Sequence, residues 1–207
     1  MSQPVHPAAP GGRRLDEPGQ DLLFRHARTH NAWQDRPVAE ETLRQLYDLM
    51  KWGPTSANCS PLRILFLCTE TAKQRLAPAL SEGNLKKTLA APVAAVLGYD
   101  TRFYENLDRL FPHNPLARSW FEGNATAIFE TAFRNSSLQG GYFILAARAV
   151  GLDCGPMSGF DRAKVEAEFW PDGRIKANFL CTLGHGDPAG LYPRGPRLPF
   201  EEVCRVL

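Results

Sequence analysis

A run of small polar residues between two prolines is the part of the sequence best suited to hold a ligand. The segment from Gly53 to Arg63 reads GPTSANCSPLR and precedes an apolar, strand-like run. Its hydroxyl and amide groups can donate and accept hydrogen bonds, and its prolines restrict the backbone to few shapes. Such a rigid, uncharged loop suits a planar ligand that carries carbonyl groups and ring nitrogens. The same composition is also typical of a helix-to-strand turn, so the loop alone leaves both interpretations open.

Four further segments carry polar or cationic residues that could join this loop around one ligand. They read ARTHNAW at 27–33, NLKK at 84–87, CGPMSGFD at 154–161 and PRGPRL at 193–198. Arginine suits a phosphate group because its planar fork forms bidentate, charge-assisted hydrogen bonds. Each cation taken alone would be read as an ordinary surface charge, so the argument depends on the ordered set.

The order and spacing of these segments resemble the nitroreductase family of FMN-dependent oxidoreductases. The resemblance covers roughly residues 20–200 and is closest to the malonic semialdehyde reductase branch, which is 3-hydroxypropanoate dehydrogenase-like and associated with pyrimidine breakdown. Marks of that branch are WGPTSAN at 52–58, TAFRNSSLQG at 131–140 and GPMSGFD at 155–161. No single motif would suffice, but their order along nearly the whole chain supports the family.

The resemblance implies a set of cofactor-binding residues. Cations would hold the FMN phosphate, the 54–58 loop would reach the flavin from the partner subunit, and a backbone N–H of residues 156–159 would approach flavin N5. Many relatives carry Glu at the position of Ser158, a change that leaves the backbone role intact. The expected residues are Arg28, Thr29, His30, Pro54, Thr55, Ser56, Asn58, Asn84, Lys87, Asn135, Pro156, Met157, Ser158, Gly159, Arg194 and Arg197.

Two of these residues have a second interpretation. His30 could bond a ribityl or phosphate oxygen, or it could be a structural imidazole. Asn135 could contact the flavin ring, or it could belong to a run of polar residues that packs one helix against another.

The resemblance also implies an activity. NADH or NADPH would reduce bound FMN, and a small acceptor would then replace the nicotinamide; the expected acceptor is malonic semialdehyde, reduced to 3-hydroxypropanoate. A broad nitro or quinone reductase with the same FMN site is one alternative, and a non-catalytic flavin-binding protein is an alternative of another class. No catalytic side chain is assigned, because the flavin carries the chemistry. Arg63 and Arg134 are candidates for the substrate carboxylate, and the aromatic residues of 103–121, with His113, for a substrate cover.

Length, composition and charge bound these expectations. The 207 residues, 43% hydrophobic and 22% charged, suit one globular domain, assigned to 15–207 after a flexible tail at 1–14. The net charge of +2 comes from scattered residues and does not favour nucleic acid, and no apolar run has the length of a membrane span. Five cysteines without a Cys-x-x-Cys pair, and no recognisable signal peptide, favour free thiols, no metal site and a cytoplasmic location. Cys68 and Cys181 lie in apolar runs and are expected in the core.

The hydrophobic patterns predict helices and strands that alternate without βαβ order, hence an α+β fold. A helix is predicted near Leu22–Ala27, and another ends at 165–169; the 155–159 segment is interpreted as a turn before a helix near Asp161. The resemblance implies three layers, with a mostly antiparallel sheet between helices, and an intertwined homodimer with shared active sites. The remaining predicted helices are 39–52, 71–80 with Lys73 outward, and 126–150 with a stop at Gly151, and the predicted strands are 63–69, 91–99 and 176–183.

Overall fold

The computed structural model describes residues 14–207. Within that range the helices are α1 Glu17–Gln20, α2 Glu40–Met50, α3 Glu70–Leu76, α4 Glu82–Ala90, α5 Leu107–Leu110, α6 Ala125–Ala149, α7 Arg162–Phe169 and α8 Phe200–Val203. The strands are β1 Leu62–Leu67, β2 Val93–Asp100, β3 Asp153–Met157 and β4 Ile175–Gly184. The predicted helix near residue 22 is instead α1 followed by a π-helical turn, Asp21–Arg25. The predicted flexible tail lies outside the described residues, apart from Arg14.

The four strands form one antiparallel sheet in the order β1-β2-β4-β3. Strand β2 lies at its centre, with Leu62 of β1 opposite Tyr99 and Leu183 of β4 opposite Val93. The prediction of an α+β fold around a mostly antiparallel sheet is therefore confirmed.

Strand β3 corrects the interpretation of residues 155–159 as a turn, because the first three of them belong to this edge strand. The Cys154 carbonyl accepts a hydrogen bond from the His30 N–H, outside the pairing with β4. Alternation along the strand places Pro156 on the same outward side. A proline that faces outward on an edge strand removes no ladder hydrogen bond, so the composition that indicated a turn also suits this strand.

Helices cover both faces of the sheet. Val93, Ala95 and Leu97 of β2 pack with residues of α2 and α6 in one core cluster. Ala94 and Val96 pack with α3 and α7 in a second cluster on the other face, because successive side chains of a strand point to opposite faces. All of β2 is buried, which explains its continuous apolar sequence and confirms the predicted three layers.

Helices α2 and α6 form the layer on one face. Helix α2 buries Leu43, Leu46 and Met50 at helical spacing. Helix α6 runs for 25 residues and begins after Asn124, whose side chain accepts a backbone N–H of the first turn. It ends before Gly151, whose φ of 82° suits glycine. Both predicted helices and the glycine stop are confirmed.

Helix α4 was not predicted from the sequence, because its apolar residues are sparse and only Thr88 is buried. Its carboxyl end is held by Lys73 of α3, which was predicted to point outward but is only 8% exposed. The Lys73 Nζ donates to the carbonyl oxygens of Leu89 (2.6 Å) and Ala91 (2.9 Å). A buried ammonium group requires such acceptors, and a cation stabilises the carboxyl end of a helix.

Two expectations about buried side chains were wrong in part. Cys68 is exposed, whereas Cys181 is fully buried as predicted, and all five cysteines are free thiols. Cys68 follows the last residue of β1, so it lies outside the packed layers. Phe103 and Phe121 were predicted as part of a substrate cover, but both are buried and their ring centroids lie 4.9 Å apart.

Asp100, the last residue of β2, is a buried carboxylate that joins three parts of the chain. Its Oδ2 lies 2.7 Å from Arg63 Nη2, its Oδ1 lies 2.9 Å from Arg174 Nε, and Oδ1 also accepts the Arg102 N–H. Burial disfavours the charged carboxylate, but these hydrogen bonds and the two guanidinium charges outweigh burial and lower the pKa of Asp100. The cluster ties β1 and the segment before β4 to the end of β2.

We expect Asp100→Asn to lower the free energy of unfolding by about 3 kcal/mol at neutral pH, because it leaves two arginines without their shared carboxylate. Since the folded-state pKa of Asp100 is lowered, this stabilisation is present above the unfolded-state pKa of about 4 and is lost as the pH falls through the folded-state pKa. Urea denaturation of both proteins over a pH series should therefore show a difference that narrows in acid. Glu40→Gln, which breaks an exposed pair with Arg44, is the control and should cost under about 0.5 kcal/mol.

Candidate active site

The Arg28–Trp33 segment runs along the outer edge of β3. The His30 N–H donates to the Cys154 carbonyl at 2.9 Å, and Thr29 forms a parallel bridge with Cys154. A Cβ at Gly155 would lie 2.6 Å from the His30 carbonyl oxygen, so the close approach requires glycine there. Strand β3 thereby positions three of the predicted cofactor ligands.

The His30 side chain is buried, with 7% exposure. Its Nε2 lies 3.4 Å from Asp153 Oδ1, and Asp153 Oδ2 accepts the Gly186 N–H at 2.8 Å. A Cβ at Gly186 would lie 1.9 Å from His30 Nδ1, and this nitrogen has no hydrogen-bond partner within the described residues. These contacts favour the interpretation of His30 as a structural imidazole that fixes the Arg28–Trp33 segment.

Three of the predicted cations meet around this segment. Arg28 donates to the Tyr192 carbonyl, and Lys87 Nζ donates to Asn31 Oδ1 at 3.1 Å. Arg194 Nη2 donates to two carbonyl groups just before Arg28, at 2.7 and 2.9 Å. Within residues 14–207 none of these cations has a carboxylate oxygen within 4.0 Å. Cations gathered without acidic partners favour an anion such as a phosphate group.

Lys87 and Arg197 differ in how they join this group. Lys87 is half-buried, and burial lowers its pKa, so a bound anion would stabilise its charged form. Trp33 Nε1 donates to the Lys87 carbonyl at 3.3 Å, which holds α4 against the segment. Arg197 is exposed, and its guanidinium donates only to the carbonyls of the two preceding residues in the part of the chain described. Its role at a phosphate stays a prediction.

The Ser158–Gly159 turn follows β3 and is held by the start of α4. The Gly159 carbonyl accepts hydrogen bonds from the Ser81 N–H (3.1 Å), Ser81 Oγ (2.8 Å) and Asn84 Nδ2 (2.9 Å). The amides of Ser158 and Gly159 donate no hydrogen bond between residues 14 and 207. Two adjacent unpaired donors on an anchored turn suit an acceptor atom on a ligand, whereas the Asn84 amide nitrogen is already used to hold the turn.

Pro156 and Met157 can offer a ligand little beyond their backbone. Met157 is 9% exposed, and its Sδ accepts a hydrogen bond from Thr88 Oγ1 of α4 at 3.5 Å. Its side chain belongs to the core between the sheet and α4, which explains why a long apolar residue stands in the motif.

The Thr55–Ser60 loop holds the second group of predicted contacts in an unusual backbone conformation. Ala57, Asn58 and Ser60 have φ values of 50°, 47° and 40°, in the left-handed region that non-glycine residues rarely adopt. The Ser60 N–H donates to the Thr55 hydroxyl at 3.1 Å, and Asn58 Nδ2 donates to the last carbonyl of α5 at 2.8 Å. These bonds hold the strained loop in one shape.

Asn135 of α6 is hydrogen-bonded to the backbone of the same loop. Its Oδ1 accepts the Ser56 N–H at 2.8 Å, and its Nδ2 donates to the Thr131 carbonyl at 2.8 Å. Both ends of its amide are engaged and Asn135 is only 2% exposed, which favours the alternative interpretation of Asn135 as a packing residue. Pro54 and Ser56 of the same loop are exposed.

The two groups of predicted contacts lie at opposite ends of the sheet. The loop precedes Leu62 of β1, which lies opposite Tyr99 of β2. The Arg28–Trp33 segment pairs with Cys154 of β3. Cys154 lies opposite Leu183 of β4, and Leu183 lies opposite Val93 of β2. Along β2, Val93 and Tyr99 are about 20 Å apart, which is more than the width of a flavin ring system. One chain therefore does not bring both groups around a single ring.

Other candidate groups are occupied or exposed. Arg63 is bonded to Asp100, and Arg134 is 69% exposed, 3.9 Å from Glu130. The exposed His113 ring lies 3.9 Å from that of Phe111. The structure shows no cluster of three His, Cys, Asp or Glu side chains suited to a metal within residues 14–207. In the same range no helix has the length and apolar character needed to span a membrane.

Comparison with known proteins identifies the family. The model of the nitroreductase family matches residues 25–185. The chain belongs to the nitroreductase family. The matched range includes the Arg28–Trp33 segment, the Thr55–Ser60 loop and the Ser158–Gly159 turn, and it ends before Arg194 and Arg197.

Similar sequences and structures agree with this family. A Burkholderia lata relative named as an NADH dehydrogenase/NAD(P)H nitroreductase is 60% identical over 192 residues, covering 93% of this chain and 98% of the relative. HadB of Ralstonia pickettii, given the same name, is 58% identical and covers 89% of this chain and 95% of its own. A nitroreductase from Exiguobacterium sibiricum, solved in complex with FMN, superposes with a TM-score of 0.82 at 20% identity, covering 95% and 99% of the two chains. The expectation of an FMN-dependent NAD(P)H oxidoreductase is confirmed at the level of the family.

Three residues that hold the candidate site were not predicted: Ser81, Asp153 and Gly186. Ser81 bonds the Gly159 carbonyl, and Asp153 joins His30 to Gly186. None of them lies in a motif with a local signal, because their contacts depend on how distant segments pack. Gly186 is the one hint in the sequence, because the buried His30 ring occupies the space that a Cβ at this position would need.

We expect Gly159→Ala to weaken FMN binding about five- to tenfold, because a Cβ there would lie 2.6 Å from Asn84 Nδ2 and 2.8 Å from Ser81 Oγ and would cost one or two hydrogen bonds to the turn. Fluorescence titration of the apoprotein with FMN measures the effect. Gly83→Ala is the matched control on α4, since no atom lies within 4 Å of its added Cβ. Equal FMN affinity in Gly159→Ala and wild type would show that the anchored turn is not part of the cofactor site.

Proposed function

We propose that the chain works as a homodimeric NAD(P)H oxidoreductase in which two copies share each active site. One subunit supplies the Arg28–Trp33 segment, Lys87 and the Ser158–Gly159 turn, and the other supplies the Thr55–Ser60 loop. Bound FMN would supply hydride transfer from NADH or NADPH to a small acceptor. The observation that carries the proposal is the separation of the two groups of contacts along β2, which a second copy of the chain would remove.

The residues present suit the parts of FMN. Arg28, Lys87 and Arg194 have no acidic partner among the described residues and would hold the phosphate, with Arg197 as a fourth cation and Thr29 beside them. The unpaired amides of Ser158 and Gly159 would donate to the flavin ring. From the partner subunit, Pro54, Thr55, Ser56 and Asn58 would border the ring, while His30, Asn84, Asn135, Pro156 and Met157 would support these contacts from behind.

An exposed apolar surface on α2 and α6 supports the homodimer. Tyr47, Leu49 and Trp52 on or after α2 and Leu138 on α6 are 45–57% exposed. Exposed apolar side chains on two helices that pack together are typical of an interaction site. A second copy of the chain packed there would bury these side chains beside the Thr55–Ser60 loop, which follows α2 directly.

Mixing two inactive variants tests whether the active site is shared. Arg28→Ala and Ser56→Ala remove contacts that we assign to different subunits of one site. If the two variants are unfolded together and refolded, random pairing should restore intact sites up to about a quarter of the wild-type number. NAD(P)H-dependent reduction of bound flavin measures the recovery, and each variant refolded alone is the control. No recovery in proven heterodimers would place both contacts in the same subunit.

Arg197→Ala tests the fourth cation. We expect it to weaken FMN binding by about 1.5–3 kcal/mol, roughly ten- to a hundredfold, through loss of a charge-assisted phosphate contact. Arg205→Ala removes an exposed arginine in the same terminal region and should leave FMN affinity unchanged. If Arg197→Ala binds FMN as tightly as Arg205→Ala, Arg197 has no part in phosphate binding.

Malonic semialdehyde is the acceptor we propose, on the resemblance of residues 52–58 and 155–161 to that branch of the family. Its carboxylate needs a cation, and because Arg63 is bonded to Asp100, Arg134 is the remaining candidate of the two. The names of the relatives from Burkholderia lata and Ralstonia pickettii favour a second function, the reduction of nitro compounds at the same site. Neither acceptor changes the cofactor contacts.

Steady-state rates separate the acceptors. Anaerobic addition of NADH or NADPH should first bleach the absorption of the bound flavin, and malonic semialdehyde should then be reduced faster than by free FMN alone. If nitrofurazone is reduced but malonic semialdehyde is reduced no faster than by free FMN, the acceptor is a nitro compound and not malonic semialdehyde. Bound flavin that neither NADH nor NADPH reduces would instead make the chain a flavin-binding protein without turnover.

A further inference from the structure

A cleft lies at the Tyr99 end of β2, and none of the residues that line it belongs to the proposed cofactor site. Its volume is about 440 Å³. The Phe129 ring forms an exposed apolar wall, and Tyr99 packs edge-on against it with ring centroids 6.3 Å apart. The polar and aromatic residues that line the cleft are Tyr99, Thr101, Arg102, Tyr104, Phe129 and Lys176.

The cleft carries one cation that the protein does not neutralise. Arg102 is exposed, its backbone N–H is bonded to Asp100, and its guanidinium has no carboxylate within 4.0 Å in the described part of the chain. The acidic groups nearby are each paired with another cation: Asp100 and Glu105 with Arg174, and Glu166 with Lys176. The charge of Arg102 is therefore left for a ligand.

Two phenol groups add hydrogen-bonding capacity beside this cation. The hydroxyls of Tyr99 and Tyr104 form no hydrogen bond with the described residues. Burial, together with the nearby charge of Glu166, raises the pKa of Tyr99, so its hydroxyl keeps its proton and can donate. The cleft thus presents one guanidinium fork and two phenol donors next to aromatic walls.

We propose that this cleft binds a single-ring aromatic carboxylate, with its carboxylate on Arg102 and the tyrosine hydroxyls and its ring against Phe129. A guanidinium fork matches the two oxygens of a carboxylate, and an aromatic ring packs favourably against the rings of the cleft. An aliphatic acid would leave those rings exposed, and a neutral aromatic compound would leave the charge of Arg102 unpaired. The volume is in the range of pockets for small molecules.

The proposal rests on the second of the two proposed functions, the reduction of nitro compounds, and deepens it, because the nitro acceptor would come from this class of aromatic carboxylates. The cleft lies at the same end of the sheet as the Thr55–Ser60 loop, since Tyr99 lies opposite Leu62. In the proposed shared site this loop borders the flavin. A ligand in the cleft would therefore lie in the subunit that supplies the loop, at the end of the sheet that faces the flavin.

Calorimetric titration of the flavin-loaded protein with benzoate tests the binding site without turnover. We expect benzoate to bind wild type, Arg102→Gln to weaken it about tenfold through loss of the charge-assisted contact, and Arg102→Lys to give an intermediate affinity. Arg109→Gln is the control, because Arg109 is an exposed arginine outside the cleft whose side chain donates to Asn106 Oδ1, at 3.4 Å, and to no other group in residues 14–207. Benzyl alcohol, which lacks the charge, should bind wild type and Arg102→Gln equally.

Absence of benzoate binding to wild type, or equal binding to Arg102→Gln and wild type, would overturn the assignment. Arg102 is exposed and keeps its backbone bond to Asp100, so the substitution preserves the network beneath it. The lysine variant retains the charge at the same position and separates loss of charge from loss of structure.

Turnover of 4-nitrobenzoate against nitrobenzene tests the link to the acceptor. Arg102→Gln should lower the ratio of kcat/KM for the two compounds about tenfold, through KM for the acid. An unchanged ratio in a variant that has lost benzoate affinity would overturn the acceptor role. If neither compound is reduced by wild type, the reductase function with nitro acceptors fails, and the calorimetry still decides whether the cleft is a carboxylate site.

Discussion

The pairing of β2 with a strand on each side is the constraint on which the rest of the structure depends. Strand β2 is buried on both faces, and its register with β1 and β4 determines which segments lie at each end of the sheet. At one end the Arg28–Trp33 segment lies against β3, and at the other the Thr55–Ser60 loop precedes β1. Because the ends of the strand are far apart, the proposed shared site needs a second copy of the chain to bring the two groups together.

The cations of the chain fall into two classes that one sequence does not separate. Lys73, Arg63 and Arg174 each have a carboxylate oxygen within 4.0 Å, from Glu70 or Asp100. Arg28 and Lys87 bond only neutral groups of the described chain. Burying or crowding a cation without a carboxylate is unfavourable, so these two charges, unpaired among the described residues, suit the anion that we propose they bind.

Much of the fold could be predicted from local pattern, because the strongest signals belong to the most buried elements. Helix α6 and strand β2 have long apolar runs with clear stops, and their predicted bounds lie within two residues of those observed. Helix α4 and strand β3 could not be predicted in this way. Helix α4 has almost no buried residue, and the glycine and proline of β3 suit an edge strand as well as a turn.

The candidate site was predictable as a set of segments but not as a geometry. The resemblance to the family named these stretches of chain, whereas the role of each residue within them depends on packing and stays a prediction. His30 and Asn135 are polar residues in functional segments, yet the fold buries both and engages them with Asp153 and Ser56. No property of a single residue distinguishes a ligand contact from a support beneath it.

The backbone conformation of the Thr55–Ser60 loop restricts which substitutions its residues can accept during evolution. Three of its residues adopt left-handed φ values without being glycine, at a cost of about 1 kcal/mol each. Glycine at these positions would relieve that strain, but it would also enlarge the set of shapes open to the unfolded chain and to the loop itself. The chain keeps a costlier loop of defined shape. Substitution at these positions is therefore restricted by the backbone, although all three side chains are at least partly exposed.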